Sequence, residues 1–213
     1  MADIATLDAA PTDGHGHAPE PGEHGWTYTG VSNEQLAMWV FLASECLLFG
    51  GLISTYLLYK SRVPAGHGPA PSELYDIPFT SVSSFVLLMS SLTMVLALSA
   101  IQRGDHRNLR VWLVTTALLG SIFIAGQVYE FTGFVKEGMG FTTNVAASAF
   151  FTLTGFHGVH VSLGIVMLMS LVMLSVRGKL PDTKAEAVEI VGLYWHFVDI
   201  VWILIFTVVY LVP

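Results

Sequence analysis

Five long apolar runs decide what this chain can fold into. They cover roughly residues 36–59, 79–101, 109–133, 145–176 and 188–212, and a helix needs ~20 mostly apolar residues to cross a bilayer core. Each run meets that length. Hydrocarbon offers no water to pair with backbone amides, so a spanning segment must satisfy them internally, which selects helices. The composition agrees: 53% of residues are hydrophobic, 12% are charged and the mean hydropathy is +0.63, against roughly 25% charged in a soluble domain. The connections, about 61–78, 102–108, 134–144 and 177–186, are short, so consecutive spans lie antiparallel. The expected fold is an all-α membrane protein, a five-transmembrane-helix bundle over residues 34–213.

Residues 1–33 differ in kind. They carry Gly, Pro, His and the acids Asp3, Asp8, Asp13, Glu20 and Glu23 without a Lys or Arg, which predicts a disordered polar arm. The arm lacks the basic start and apolar core of a signal peptide. His15, His17 and His24 have no further ligands at fixed spacing and read as solvated. The net charge is −7 with nine Lys plus Arg, which leaves no basic surface for nucleic acid. Cys46 is the single cysteine, so no internal disulfide can form; in its apolar run it reads as a small buried hydrophobe.

Cationic residues orient the bundle, because cytoplasmic loops keep the excess of Lys and Arg. Arg103, Arg107, Arg110, Arg177, Lys179 and Lys184 fall on one side, and Lys60, Arg62 and Lys136 on the other. The larger group predicts a cytoplasmic N-terminus and an external C-terminus.

Polar residues within the spans are costly and need partners. Counting ~1.5 Å per residue, Glu45 on the first span, His157 on the fourth and Asp199 on the fifth all fall near the middle of a ~30 Å core. The expectation is that at least two of Glu45, His157, His160, His196 and Asp199 face one another inside the bundle. Gln127 and Glu130, one turn apart near the external end of the third span, read as an interfacial polar pair, with a packing role an equal alternative. On the fourth span Thr154, Gly158 and Ser162 form a small-residue stripe, with His157, His160 and Gly164 clustered roughly 130° away. Similar stripes are Ala117, Ser121 and Ala125 on the third span and Gly50 and Ser54 on the first; all read as close-packing positions. The three imidazoles on facing helices make a haem or metal site conceivable, but spacing alone supplies no full ligand set, and a hydrogen-bonded structural cluster is favoured.

Four stretches carry a family signature, one per helix and in order: Ala43-Ser44-Glu45-Cys46-Leu47-Leu48-Phe49, Gln127-Val128-Tyr129-Glu130, Thr154-Gly155-Phe156-His157-Gly158-Val159-His160, and Tyr194-Trp195-His196-Phe197-Val198-Asp199-Ile200-Val201-Trp202. Through them the chain resembles subunit III of the haem-copper respiratory oxidases, cytochrome c oxidase and its quinol-oxidising relatives. The resemblance implies a non-catalytic subunit that binds no haem or metal, with haem and copper held in partner subunits. It implies packing on subunit I in a complex with subunit II and others, phospholipid in a cleft between the first two helices and the rest, and support of proton uptake. Glu45 matches the family's membrane-embedded carboxyl. The long family form has seven helices; here a polar arm stands where two leading helices would be, as in five-helix bacterial versions, so the expected location is the bacterial cytoplasmic (inner) membrane. Two other readings compete: a membrane haem protein using His157, His160 or His196, and a proton-coupled transporter with Glu45 and Asp199 as relay groups, which broken helices and inverted repeats would favour.

Overall fold

Five helices succeed one another: α1 (Asn33–Lys60), α2 (Ile77–Gln102), α3 (His106–Lys136), α4 (Val145–Val176) and α5 (Ala185–Phe206), the last running into a π-helical turn, Thr207–Leu211. They are those of a computed structural model that describes residues 32–60, 76–180 and 185–212. The chain divides into two units, 1–33 and 34–213. The polar arm with its histidines lies, but for its last two residues, outside the described residues. The five described helices, all but the first residue of α1, fall in the second unit, and each is long and apolar enough to cross a membrane.

Most helices run a few residues beyond the apolar runs because polar residues close their ends. Asp76 and Asp105 each accept a hydrogen bond from the backbone N–H three residues on, Phe79 at 3.1 Å and Asn108 at 3.0 Å, and Asn144 does the same for Ala147 at 2.7 Å. Such caps satisfy amide donors that have no partner within the first turn. At the other end, Gly104 takes φ +72° so that Asp105 N–H can return to the Ala100 carbonyl at 3.0 Å, a conformation that costs a residue with a Cβ. Gly138 and Gly178 end α3 and α4 in the same way.

The cap on α3 responds to pH. Hydrogen bonding to the Asn108 backbone, foremost, holds the Asp105 carboxyl below its usual range. A carboxyl whose folded pKa is depressed contributes stability above the unfolded value, about 3.9, and loses it as pH falls through the lower folded value. Hydrogen exchange at the Asn108 amide, corrected for intrinsic rates, is therefore expected to be slow at neutral pH and faster in acid. In Asp105→Ala it should be fast at both; slow exchange in that variant would remove the cap's role.

α2, α3, α4 and α5 form a closed ring in which α2 packs against α3 and α5, and α4 against the same two. α1 stands outside it. Only 11% of its spanning window is buried, compared with 33% to 44% in the other four. This corrects the expected division. Among the described residues α2 is a full member of the ring, so the helix set apart is α1 alone rather than the first two. Leu42, Phe49 and Tyr56, seven residues apart, are the side chains α1 buries.

The ring is pinned along the α2–α5 seam by hydroxyls opposite indoles. Trp195 Nε1–H donates to Ser90 Oγ at 2.9 Å and Trp202 Nε1–H to Ser84 Oγ at 2.8 Å. Two turns separate the tryptophans and nearly two the serines, so antiparallel helices meet rung by rung.

Candidate functional site: polar clasps in the membrane core

The mid-membrane polar residues fall into three separate groups. In the first, His160 Nε2 on α4 lies 3.1 Å from Glu45 Oε2 on α1, and its Nδ1 lies 2.7 Å from the Phe156 carbonyl. A carbonyl only accepts, so this contact assigns a proton to Nδ1. One proton then lies between Nε2 and Glu45, giving either an imidazolium–carboxylate pair or a neutral imidazole accepting from a carboxylic acid. Phe49 packs edge-on against both His160 and His157, with ring centroids 5.1 and 6.4 Å away, and Tyr194 OH donates to the His160 carbonyl at 2.9 Å. Tyr194 also stacks on Phe41 of α1. This group fastens α1 to the ring.

In the second group, Ser91 of α2 donates to Asp199 Oδ2 of α5 at 2.6 Å, and its oxygen lies 3.2 Å from His196 Nδ1. The hydroxyl proton is committed to Asp199, so the oxygen accepts from Nδ1–H. Asp199 Oδ1 is buried without a hydrogen-bond partner among the described residues.

His157 makes no hydrogen bond to either group among the described residues. It is fully buried, stacked on Trp202 at 4.9 Å and edge-on to Phe123 at 5.9 Å, and neither ring nitrogen has a hydrogen-bond partner among the described residues. The three imidazoles thus do not converge on one space. Among the described residues no group of three or more His, Cys, Asp or Glu is placed to hold a metal ion.

Gln127 and Glu130 are buried against neighbouring helices. Gln127 donates to the Thr154 carbonyl at 3.0 Å across the α3–α4 contact. Glu130 Oε1 accepts from Thr80 at 2.7 Å and from Tyr210 at 3.2 Å, joining α2, α3 and the terminal turn. Each is 8% exposed.

The small-residue stripes fare unequally. Thr154 is buried and Gly158 sits against Gln127, where a Cβ would come within 2.7 Å of Oε1; Ser162 is exposed at the rim of a groove between α3 and α4. Ala117 is buried, but Ser121, Ala125, Gly50 and Ser54 are exposed among the described residues, and a Cβ at Gly50 would meet nothing within 4 Å. Cys46 is exposed too, not buried as expected. The closest approach is one the stripes did not indicate: Gly120 on α3 and Gly164 on α4 flank the Trp195 ring. A tryptophan on one helix with glycines at matching depth on two others is the signal that could have found it.

Comparison with known proteins decides the family. Residues 20–212 match the family model described as cytochrome c oxidase subunit III. This chain belongs to that family. It is 40% identical over 179 residues to cytochrome c oxidase subunit 3 of Bacillus sp. (strain PS3), covering 84% of this chain and 86% of the relative. It is 38% identical over 198 residues to quinol oxidase subunit 3 of Bacillus subtilis (strain 168), covering 92% and 95%. With the Synechocystis sp. cytochrome c oxidase subunit 3, 39% identity extends over 202 residues, 94% of this chain and 81% of the relative. As a subunit III the chain is a transmembrane component of a respiratory oxidase complex, and its clasps lie on the four stretches that carry the resemblance.

Proposed function

We propose that the chain is the non-catalytic core subunit III of a proton-pumping terminal oxidase in a bacterial cytoplasmic membrane, packing on the haem- and copper-bearing subunit I. One observation carries the reading: Glu45, His160, His196 and Asp199 of the family stretches, though not His157, make their hydrogen bonds to other helices or to the backbone of this chain, as a scaffold requires. Glu45 and His160 hold each other, and Asp199 and His196 meet through Ser91. Relatives named for cytochrome c and for quinol match at similar identity, which supports placing the donor site in other subunits.

The loose attachment of α1 supports the lipid role. A groove of about 210 Å³ between α1 and α4, lined by Leu52, Thr55, Tyr59, Ser148 and Thr152, suits a phospholipid acyl chain under the α1 clasp. Lipid there and the clasp together support the complex during proton uptake. The six-to-three bias of Lys and Arg supports a cytoplasmic N-terminus. The transporter reading gains nothing, since the described spans are continuous helices rather than broken ones.

Purifying the tagged chain in mild detergent tests the assignment. The expected result is recovery with a partner that carries haem absorbance and copper, and with phospholipid phosphorus that survives washing. Recovery without the haem-bearing partner would overturn the reading.

A further inference from the structure

His196 sits on the outer side of the α2–α5 seam. It is half-buried and lines a groove of about 160 Å³ with Met94, Val95, Leu98, Glu189 and Leu193. Counting ~1.5 Å per residue from Ala185, it lies ~16 Å along α5, near the middle of a ~30 Å core. Its Nδ1–H is committed to Ser91, so Nε2 of the neutral ring is left as a hydrogen-bond acceptor, and Nε2 has no partner among the described residues. Acyl chains cannot provide one.

We infer that the α2–α5 groove at His196 is a docking surface for a transmembrane helix of the haem-bearing subunit, which places a hydrogen-bond donor against Nε2. This rests on the proposed assignment of the chain as subunit III. Three observations select that occupant over lipid. A polar acceptor at mid-depth stays unsatisfied against hydrocarbon. The contrasting Glu45–His160 pair, also at mid-depth, satisfies itself within the chain. Behind His196 the buried Asp199 carboxyl receives a hydrogen bond only through Ser91, with Oδ1 unpartnered among the described residues. A donor arriving at Nε2 polarises the imidazole–hydroxyl–carboxyl chain toward that carboxyl, so the contact strengthens bonds already in place. Glu189, two turns earlier on the same face and exposed, adds an acidic group toward the membrane surface, where a cationic side chain of the partner would meet it.

The test uses the whole complex in native membranes. A photoreactive benzoylphenylalanine is placed at Val95, on the groove, or at Leu163, on the outer face of α4. Irradiation is expected to join the Val95 probe, and not the Leu163 probe, to the haem-bearing subunit. A second arm compares His196→Phe, which removes the acceptor, with His196→Gln, whose amide oxygen can accept. Interhelical hydrogen bonds in membranes predict about a 3- to 20-fold loss of retained haem per chain for His196→Phe, restored in His196→Gln, with the melting midpoint of the isolated chain little changed. If His196→Phe fails to insert, the cross-link decides alone. Val95 adducts with lipid only, or with a second copy of this chain, would overturn the inference, as would wild-type haem retention in His196→Phe. Absence of haem from the wild-type preparation would instead overturn the assignment beneath it.

Discussion

Gly164→Val is expected to lower the detergent melting midpoint by about 5–15 °C, whereas Gly155→Val, on the same helix, should move it by only a few degrees. The difference lies in what a Cβ meets. At Gly164 it would come within 2.8 Å of two Trp195 ring carbons and 3.3 Å of Tyr194; at Gly155 nothing lies within 4 Å. Trp195 has nowhere to retreat, since Gly120 lines its other side, 2.5 Å from the ring by the same construction, and the indole is 1% exposed. Displacing it also breaks the bond to Ser90 Oγ. Overpacking costs roughly 1–3 kcal/mol and the lost hydrogen bond about 1 kcal/mol, and each kcal/mol moves the midpoint by about 2–4 °C in a chain of this size. Trp195→Ala should cost more, about 3–5 kcal/mol, because one side chain of α5 touches α2, α3 and α4 together. Equal melting of Gly164→Val and Gly155→Val would show that the slot is not what closes the ring.

The two glycines show where sequence reading stops. Spans were legible because the need for about 20 apolar residues is written along one dimension, and the structure moved their ends by three residues or fewer where Asp76 and Asp105 cap helices outside the apolar run. A small-residue stripe says only that another helix could come close. Which helix comes is a matter of partner and depth: of Ala117, Ser121 and Ala125 the last two are exposed, while Gly120, beside Ser121, meets an indole. The partners of Glu130 are hidden for a related reason: Thr80 of α2 and Tyr210, from a turn 80 residues later, hold its carboxyl, and neither is near it in sequence. The mid-depth residues were legible as a set, because charged groups stand out in apolar runs. Their pairing was not: the hydroxyl that joins His196 to Asp199 belongs to Ser91, an unremarked residue of α2.

Glu45→Ala is expected to free α1 while leaving the ring closed. α1 buries little of itself, and its ties to the ring include the Glu45–His160 pair, Phe49 against the two histidines, the Phe41–Tyr194 stack, and Lys60 donating to the Val212 carbonyl. Removing the carboxyl leaves Nε2 of His160 facing a low-dielectric space, and an unsatisfied buried polar group costs about 1–3 kcal/mol. That corresponds to roughly a 5- to 150-fold rise in the detached population. Spin labels at Thr55 and Thr152, which face each other across the α1–α4 groove, can report it in a Cys46→Ser background. The interlabel distance should be narrowly distributed in the parent chain, broad in Glu45→Ala, and narrow again in Glu45→Gln, whose amide N–H can donate to Nε2. In the assembled oxidase the same order should hold for retained groove lipid and for lifetime under turnover. The separation between variants also identifies the interaction: a requirement for negative charge would leave Glu45→Gln as loose as Glu45→Ala, whereas a hydrogen bond survives the amide. A distribution in Glu45→Ala as narrow as in the parent would mean that aromatic packing around Phe49 and Phe41 holds α1 without the carboxyl.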